Sequence, residues 1–205
     1  MYRGALPLCV ETEDGWDMEI LLSICLGIGL GAACGFRVFV PLLAMSIASL
    51  SGHLTLSHGF QWIGTYSAFM AFATATILEV AAYYIPWVDN LMDSIAAPAA
   101  VVAGTIVAAS SIVHMDLVMK WILAIIAGGG TAAIFHGATT FVRGASSTVT
   151  GGLGNHAIAT TELGISLGLS ILAIALPLVS GVAVIMLLFF VVRKGFQKLF
   201  KERRP

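Results

Sequence analysis

Long apolar stretches fill most of this chain, and a hydrocarbon solvent leaves them few options. A segment that crosses a core of about 30 Å must satisfy every backbone N–H and C=O by itself, which about 20 residues do as a helix. With 59% hydrophobic residues, 10% charged residues and a mean hydropathy of +0.97, the 205-residue chain is too apolar for a soluble domain. The expected class is an all-α membrane protein: a compact bundle of about six transmembrane helices, with broken or re-entrant glycine-rich segments.

Cutting the chain by length gives the spans. The first run, residues 19–50, would overshoot the core as one straight helix, so it must tilt or break. Gly35 and Pro41 are the breaking points, with Arg37 between them. Residues 51–64 read as an interfacial loop with Trp62 and two histidines, and residues 64–86 as a second span ending in an aromatic belt at Tyr83, Tyr84 and Trp87. A third span begins after Pro86 and ends near Val113. The short link His114–Met115–Asp116 then makes an antiparallel hairpin with a fourth span over residues 117–142. Residues 156–194 hold two short spans that meet near Pro177.

Residues 1–18 form a polar, acidic extension (Glu11, Glu13, Asp14, Asp17) without the basic start of a signal peptide, and Met18 could begin translation. Residues 19–195 are the membrane domain, and residues 196–205 a basic tail. Six of the ten Lys and Arg are Arg193, Lys194, Lys198, Lys201, Arg203 and Arg204, which puts that end in the cytoplasm. A six-span count puts the N-terminus there too. Cys9, Cys25 and Cys34 form no CxxC pair and read as small apolar residues.

The residues that could carry chemistry are the polar ones inside these runs. A charge at bilayer depth costs about 2.5–3.5 kcal/mol on insertion scales, so Arg37, Glu79, Arg143 and Glu162 are expected to face partners, a cavity or a pathway. Glu79 is either one member of a structural ion pair with an arginine or a protonatable site; Glu162, early in its span, also suits the helix dipole. Asp89 and Asp93 lie four residues apart on one helix face, like half of the aspartate-rich motif of membrane prenyltransferases, but no second DxxxD accompanies them. The tract 144–155, with Ser147, Thr148, Gly151, Gly152 and Asn155, is too polar for a lipid-facing helix. It reads as a coordinating re-entrant loop or as a cytoplasmic linker. Gly27, Gly31 and Gly35 form small-xxx-small steps for close helix approach. The two halves echo each other loosely: a glycine-rich helix, an Arg near its end (Arg37, Arg143), then a Glu in a later span.

The strings GFRVFVPLL (35–43), LEVAAYYIPWVDNLMD (78–93), GATTFVRGASSTVTGGLGN (137–155) and TTELG (160–164), in that order, resemble a bacterial integral-membrane family known only as a domain of unknown function. The resemblance covers residues 19 to about 195. It implies a bacterial inner-membrane location and a helical bundle, and carries no activity with it.

Three functions stay open. The first is a small transporter or channel-like protein for a small solute or ion, proton-coupled in one form, whose pathway holds the polar residues above. The second is a structural or assembly protein with buried ion pairs, and the third an intramembrane transferase using Asp89 and Asp93. The histidines show no HExxH spacing and no phosphate-binding or dinucleotide motif is present, so no cofactor is expected and no metal is assigned. The expected partners are the lipid bilayer, further copies of the chain and a small solute or ion, and not nucleic acid; the basic tail suits anionic lipid.

Overall fold

The computed structural model describes residues 13–151 and 154–201, with side chains described for 18–85, 95–151 and 154–193. Cys9 lies outside the described residues. The elements are α1 (Glu13–Phe36), α2 (Phe39–Leu50), a 3-10 turn (Gln61–Gly64), α3 (Tyr66–Ala82), α4 (Pro86–Ser111), α5 (Leu117–Leu123), a π-helical turn (Ala124–Gly129), α6 (Gly130–Thr150), α7 (Asn155–Ala175) and α8 (Pro177–Lys201). The described residues are helices and connections without a strand, as the apolar periodicity requires. Three helical stretches are long and apolar enough to cross a membrane: Met18–Phe36, Leu117–Thr150 and Asn155–Ala175. Phe39–Leu50, Tyr66–Ala82, Ile95–Ser111 and Pro177–Arg193 are shorter apolar helices.

Local chemistry sets the helix starts. Pro86 and Pro177 open α4 and α8, where a missing N–H costs nothing. Thr65 caps α3 by accepting from Ala68 N at 3.3 Å, and Asp116 caps α5 by accepting from Val118 N at 3.0 Å. Pro41 lies in the first turn of α2, a position where its ring is tolerated.

α1 is the central helix and packs against α4, α6, α7, α8 and the π-helical turn. Its glycine face does what the small-xxx-small spacing predicts. A Cβ on Gly31 would sit 2.7 Å from Gly128 O, and one on Gly35 2.7 Å from Ala132 O, so α1 meets the π-helical turn and α6 backbone to backbone. Dispersion between such close backbones replaces the hydrophobic effect, which lipid does not supply. Large apolar side chains such as Met70, Ile77, Ile126, Phe141, Phe189 and Phe190 point outward, as suits a lipid-facing exterior.

The break in the first apolar run falls where it was expected, between Gly35 and Pro41, but its form is a reversal. α1 ends at Phe36, α2 begins at Phe39, and α2 returns along the bundle until His53 lines a cavity with Glu19 and Leu26 of the first half of α1. α8 runs parallel to α1: Gly181 meets Cys25, and Val184 and Leu188 cluster with Ala32 and Phe36. The start of α1 and the end of α8 therefore lie at opposite ends of the bundle. The expectation of two cytoplasmic termini counted residues 19–50 as one span, and the hairpin at Arg37 removes its basis.

The tract 144–155 also departs from expectation. α6 continues through it to Thr150, because Thr148 and Thr150 donate to Ala145 O and Ser146 O, both at 2.8 Å, and so satisfy their hydroxyls on their own helix. Only at Gly151, with φ +64, does the backbone enter the left-handed region and end the helix. A re-entrant loop is thus replaced by a helix that runs to a terminus at Gly151.

This arrangement makes an immediate prediction about sidedness. Reporter fusions just before Met18 and after the last residue should report opposite faces of the membrane. Reporters on one common face would contradict the α1–α2 hairpin.

Candidate functional site

Three helices and the α1–α2 turn bring the four intramembrane charges together. Arg37 comes from the turn, Glu79 from α3, Arg143 from α6 and Glu162 from α7, and all four are buried, Arg37 to 1% exposure. Two guanidinium groups and two carboxylates balance in charge. That balance makes their common burial feasible, since an isolated ion costs several kcal/mol to desolvate.

Glu79 is the least expected of the four in its role. Its carboxylate accepts from Val38 N at 2.8 Å and from Phe39 N at 3.1 Å, so it caps the free N-terminus of α2 from another helix. The break in the apolar run would otherwise expose unsatisfied N–H groups. A carboxylate also suits the positive end of the helix dipole. In α3 only Ala68 and Glu79 are buried among the described residues, which makes this cap the main polar tie between α3 and the bundle.

Glu162 holds the arginines. Arg143 Nε donates to Glu162 Oε1 at 3.0 Å and Nη2 donates to Oε2, a two-point contact that fixes the planar groups against each other. Arg37 Nη2 lies 4.0 Å from the same Oε2 and donates to the Ala159 carbonyl at 2.9 Å. Arg37 Nε and Nη1 are buried and find no hydrogen-bond acceptor among the described residues. Both guanidinium groups lie over the ring of Tyr83, their carbons 3.9 Å and 4.2 Å from its centroid. When desolvated, such cation–π contacts contribute about 2 kcal/mol.

Tyr83 was expected in an interfacial aromatic belt, and it is buried at the centre of the charge group instead. Its place four residues after Glu79 on the α3 face was the available signal. Among the other expected site residues, Asn155 is buried and donates from Nδ2 to Ser147 Oγ at 3.0 Å, tying α7 to α6. Thr148 and Gly151 are exposed at the end of α6, away from the charges. Gly152 and the side chains of Asp89 and Asp93 lie outside the described residues.

Two cavities flank the cluster, separated by α7. One of about 1080 Å³ lies between α2, α3 and α7 and reaches Val40, Val80 and Leu163, the neighbours of the charged residues. The other, about 380 Å³, lies between the end of α1, α6 and α7 and is lined by Glu162 itself along with Phe36, Phe135 and Ile165. Among the described residues no group of three or more His, Cys, Asp or Glu could hold a metal ion.

This is an all-α membrane protein built around a buried, charge-balanced cluster. The model of a family described as "Domain of unknown function (DUF4126)" matches residues 24–195, and the chain belongs to that family. Neither the curated proteins nor the solved structures contain a match to it.

The cluster ranks its own mutations. Glu162→Gln removes the carboxylate that both arginines face and should cost about 3–5 kcal/mol, whereas Glu79→Gln also leaves the cluster one positive charge in excess but keeps an amide oxygen for the cap, and should cost less, about 1–3 kcal/mol. The double variant Glu162→Gln/Arg143→Gln should regain part of the first loss. Unfolding midpoints in detergent measure the order; a larger loss for Glu79→Gln would contradict the assigned roles. At Gly151, Val should cost about 1–2 kcal/mol more than Asn, because the left-handed backbone rejects a β-branched residue.

Proposed function

We propose that this is a small transporter or channel-like protein of the bacterial cytoplasmic membrane that passes a small solute or ion at the Arg37–Glu79–Arg143–Glu162 cluster. In this reading the basic tail faces the cytoplasm and the start of α1 the opposite side. One observation carries the proposal: the buried Arg37 guanidinium keeps Nε and Nη1 without an acceptor among the described residues, beside two carboxylates. A buried donor left unmade costs about 1–3 kcal/mol, so a ligand with an acceptor oxygen, or a small anion, gains what the protein leaves open. The flanking cavities give such a ligand two approaches to the cluster, one of them lined by Glu162.

The structural reading has its own support in Glu79, whose carboxylate is engaged as the cap of α2. In that reading the cluster locks the bundle and nothing crosses it.

Proteoliposomes separate the two. With a membrane potential imposed, and chloride, acetate and phosphate tested in turn beside a pH-sensitive dye, the protein should give flux above protein-free liposomes. Arg37→Lys, which retains the charge but loses the planar fork, should lower that flux about tenfold while the protein stays monodisperse. A silent wild-type protein, with Arg37→Lys lowering only the unfolding midpoint, supports the structural reading.

A further inference from the structure

The cavity between α2, α3 and α7 is an apolar groove with a polar end. Leu43, Ile47, Ile77, Val80, Leu167 and Ile171 line its length, and no charged side chain does. Its floor is α2 from Val40 to Ser51, a run of about 16 Å at the helical rise, close to half of an approximately 30 Å hydrocarbon core. That is the depth occupied by the acyl chains of one leaflet. A helix of 12 residues, too short to span, produces this depth.

At the α2 C-terminal end the groove reaches Ser51 and His53, whose Oγ and Nδ1 are 3.0 Å apart. His53 also lines a second cavity of about 500 Å³, together with Glu19, Ser23, Thr55, Ser111 and His114. Glu19 Oε2 lies 3.3 Å from His114 Nδ1. Through His53 an apolar groove of one-leaflet depth thus adjoins a polar vestibule whose formal charge is the Glu19 carboxylate.

We propose that this joined groove and vestibule bind a phospholipid with a primary-amine headgroup of the ethanolamine type. One acyl chain lies along α2 between α3 and α7, and the headgroup ammonium donates to Glu19 and to the imidazole and hydroxyl groups around it. The apolar wall selects a chain over a water-soluble ligand. The carboxylate selects an amine over a purely anionic headgroup, because a phosphoglycerol group brings only negative charge toward Glu19. The headgroup end of the site lies at the opposite end of α2 from the Arg37 cluster, while the other end of the groove reaches Val40 and Val80 beside it.

The test uses the full-length protein, equilibrated in nanodiscs with equal phosphatidylethanolamine and phosphatidylglycerol, then released into mild detergent for native mass spectrometry. Bound phosphatidylethanolamine should exceed phosphatidylglycerol about tenfold. Ala44→Trp, which fills the groove, should remove both lipids. Leu167→Trp, at an exposed groove position, gives the same test should Ala44→Trp fail to fold. Glu19→Gln should leave a lipid bound but bring the two headgroups to near parity. Equal retention of both lipids by the wild-type protein, or unchanged phosphatidylethanolamine in a folded groove-filling variant, would overturn the proposal. So would a groove-filling variant that dissociates a dimer with lipid occupancy unchanged, since a second copy would then be the occupant.

Discussion

A helix that stops inside an apolar run leaves backbone N–H groups pointing into a medium that cannot accept them, at several kcal/mol for each group left unmade. In this chain the stop lies at Arg37 and Val38, and the carboxylate of Glu79 supplies the acceptors at Val38 and Phe39. Much of the architecture depends on that contact. It allows α2 to reverse beside α1, holds α3 by one of its two buried residues, and introduces a negative charge that two arginines and a second glutamate then balance. Charge neutrality follows from the position of the break, and with it the polar centre that the functional proposal uses.

The second constraint is the close approach of α1 and the α5–α6 stretch. Gly31 and Gly35 meet Gly128 and Ala132, and at the same end Arg37 and Arg143 lie over one tyrosine ring. Two glycine-rich helices thus run in the same direction and deliver their arginines to one place. Backbone contact fixes the helices in register, and register decides whether both guanidinium groups reach Glu162. A side chain added at Gly31 acts on the charge cluster through this coupling, although it touches none of its members.

The helical class, the membership of the family and the break near Arg37 were all legible in the sequence, because hydrophobic length and proline position act locally. The gathering of Arg37, Glu79, Arg143 and Glu162 was legible only as a need for partners. Which glutamate would pair and which would cap depends on helix packing, and spacing along the chain does not encode it. The reversal at Arg37 is not legible in the sequence because a broken helix and a hairpin have the same apolar pattern, and only the structure shows α2 as a separate helix of 12 residues. The serine- and threonine-rich end of α6 has the composition of a loop, and composition does not reveal that Thr148 and Thr150 bond back to their own helix. Tyr83 was assigned to the interface because aromatic residues cluster there, and its burial between charged groups is a tertiary fact.

The cap by Glu79 is the most exposed part of this account to direct test. Amide proton NMR shifts of Val38 and Phe39, in labelled protein held in nanodiscs, report whether those N–H groups donate to a charged oxygen. Both should lie downfield, as charge-assisted donors do. Glu79→Gln should move the pair upfield together while the α6 amides keep their positions. Shifts at Val38 and Phe39 that ignore the Glu79 substitution would contradict the cap, and with it the hairpin and the charge cluster built on it.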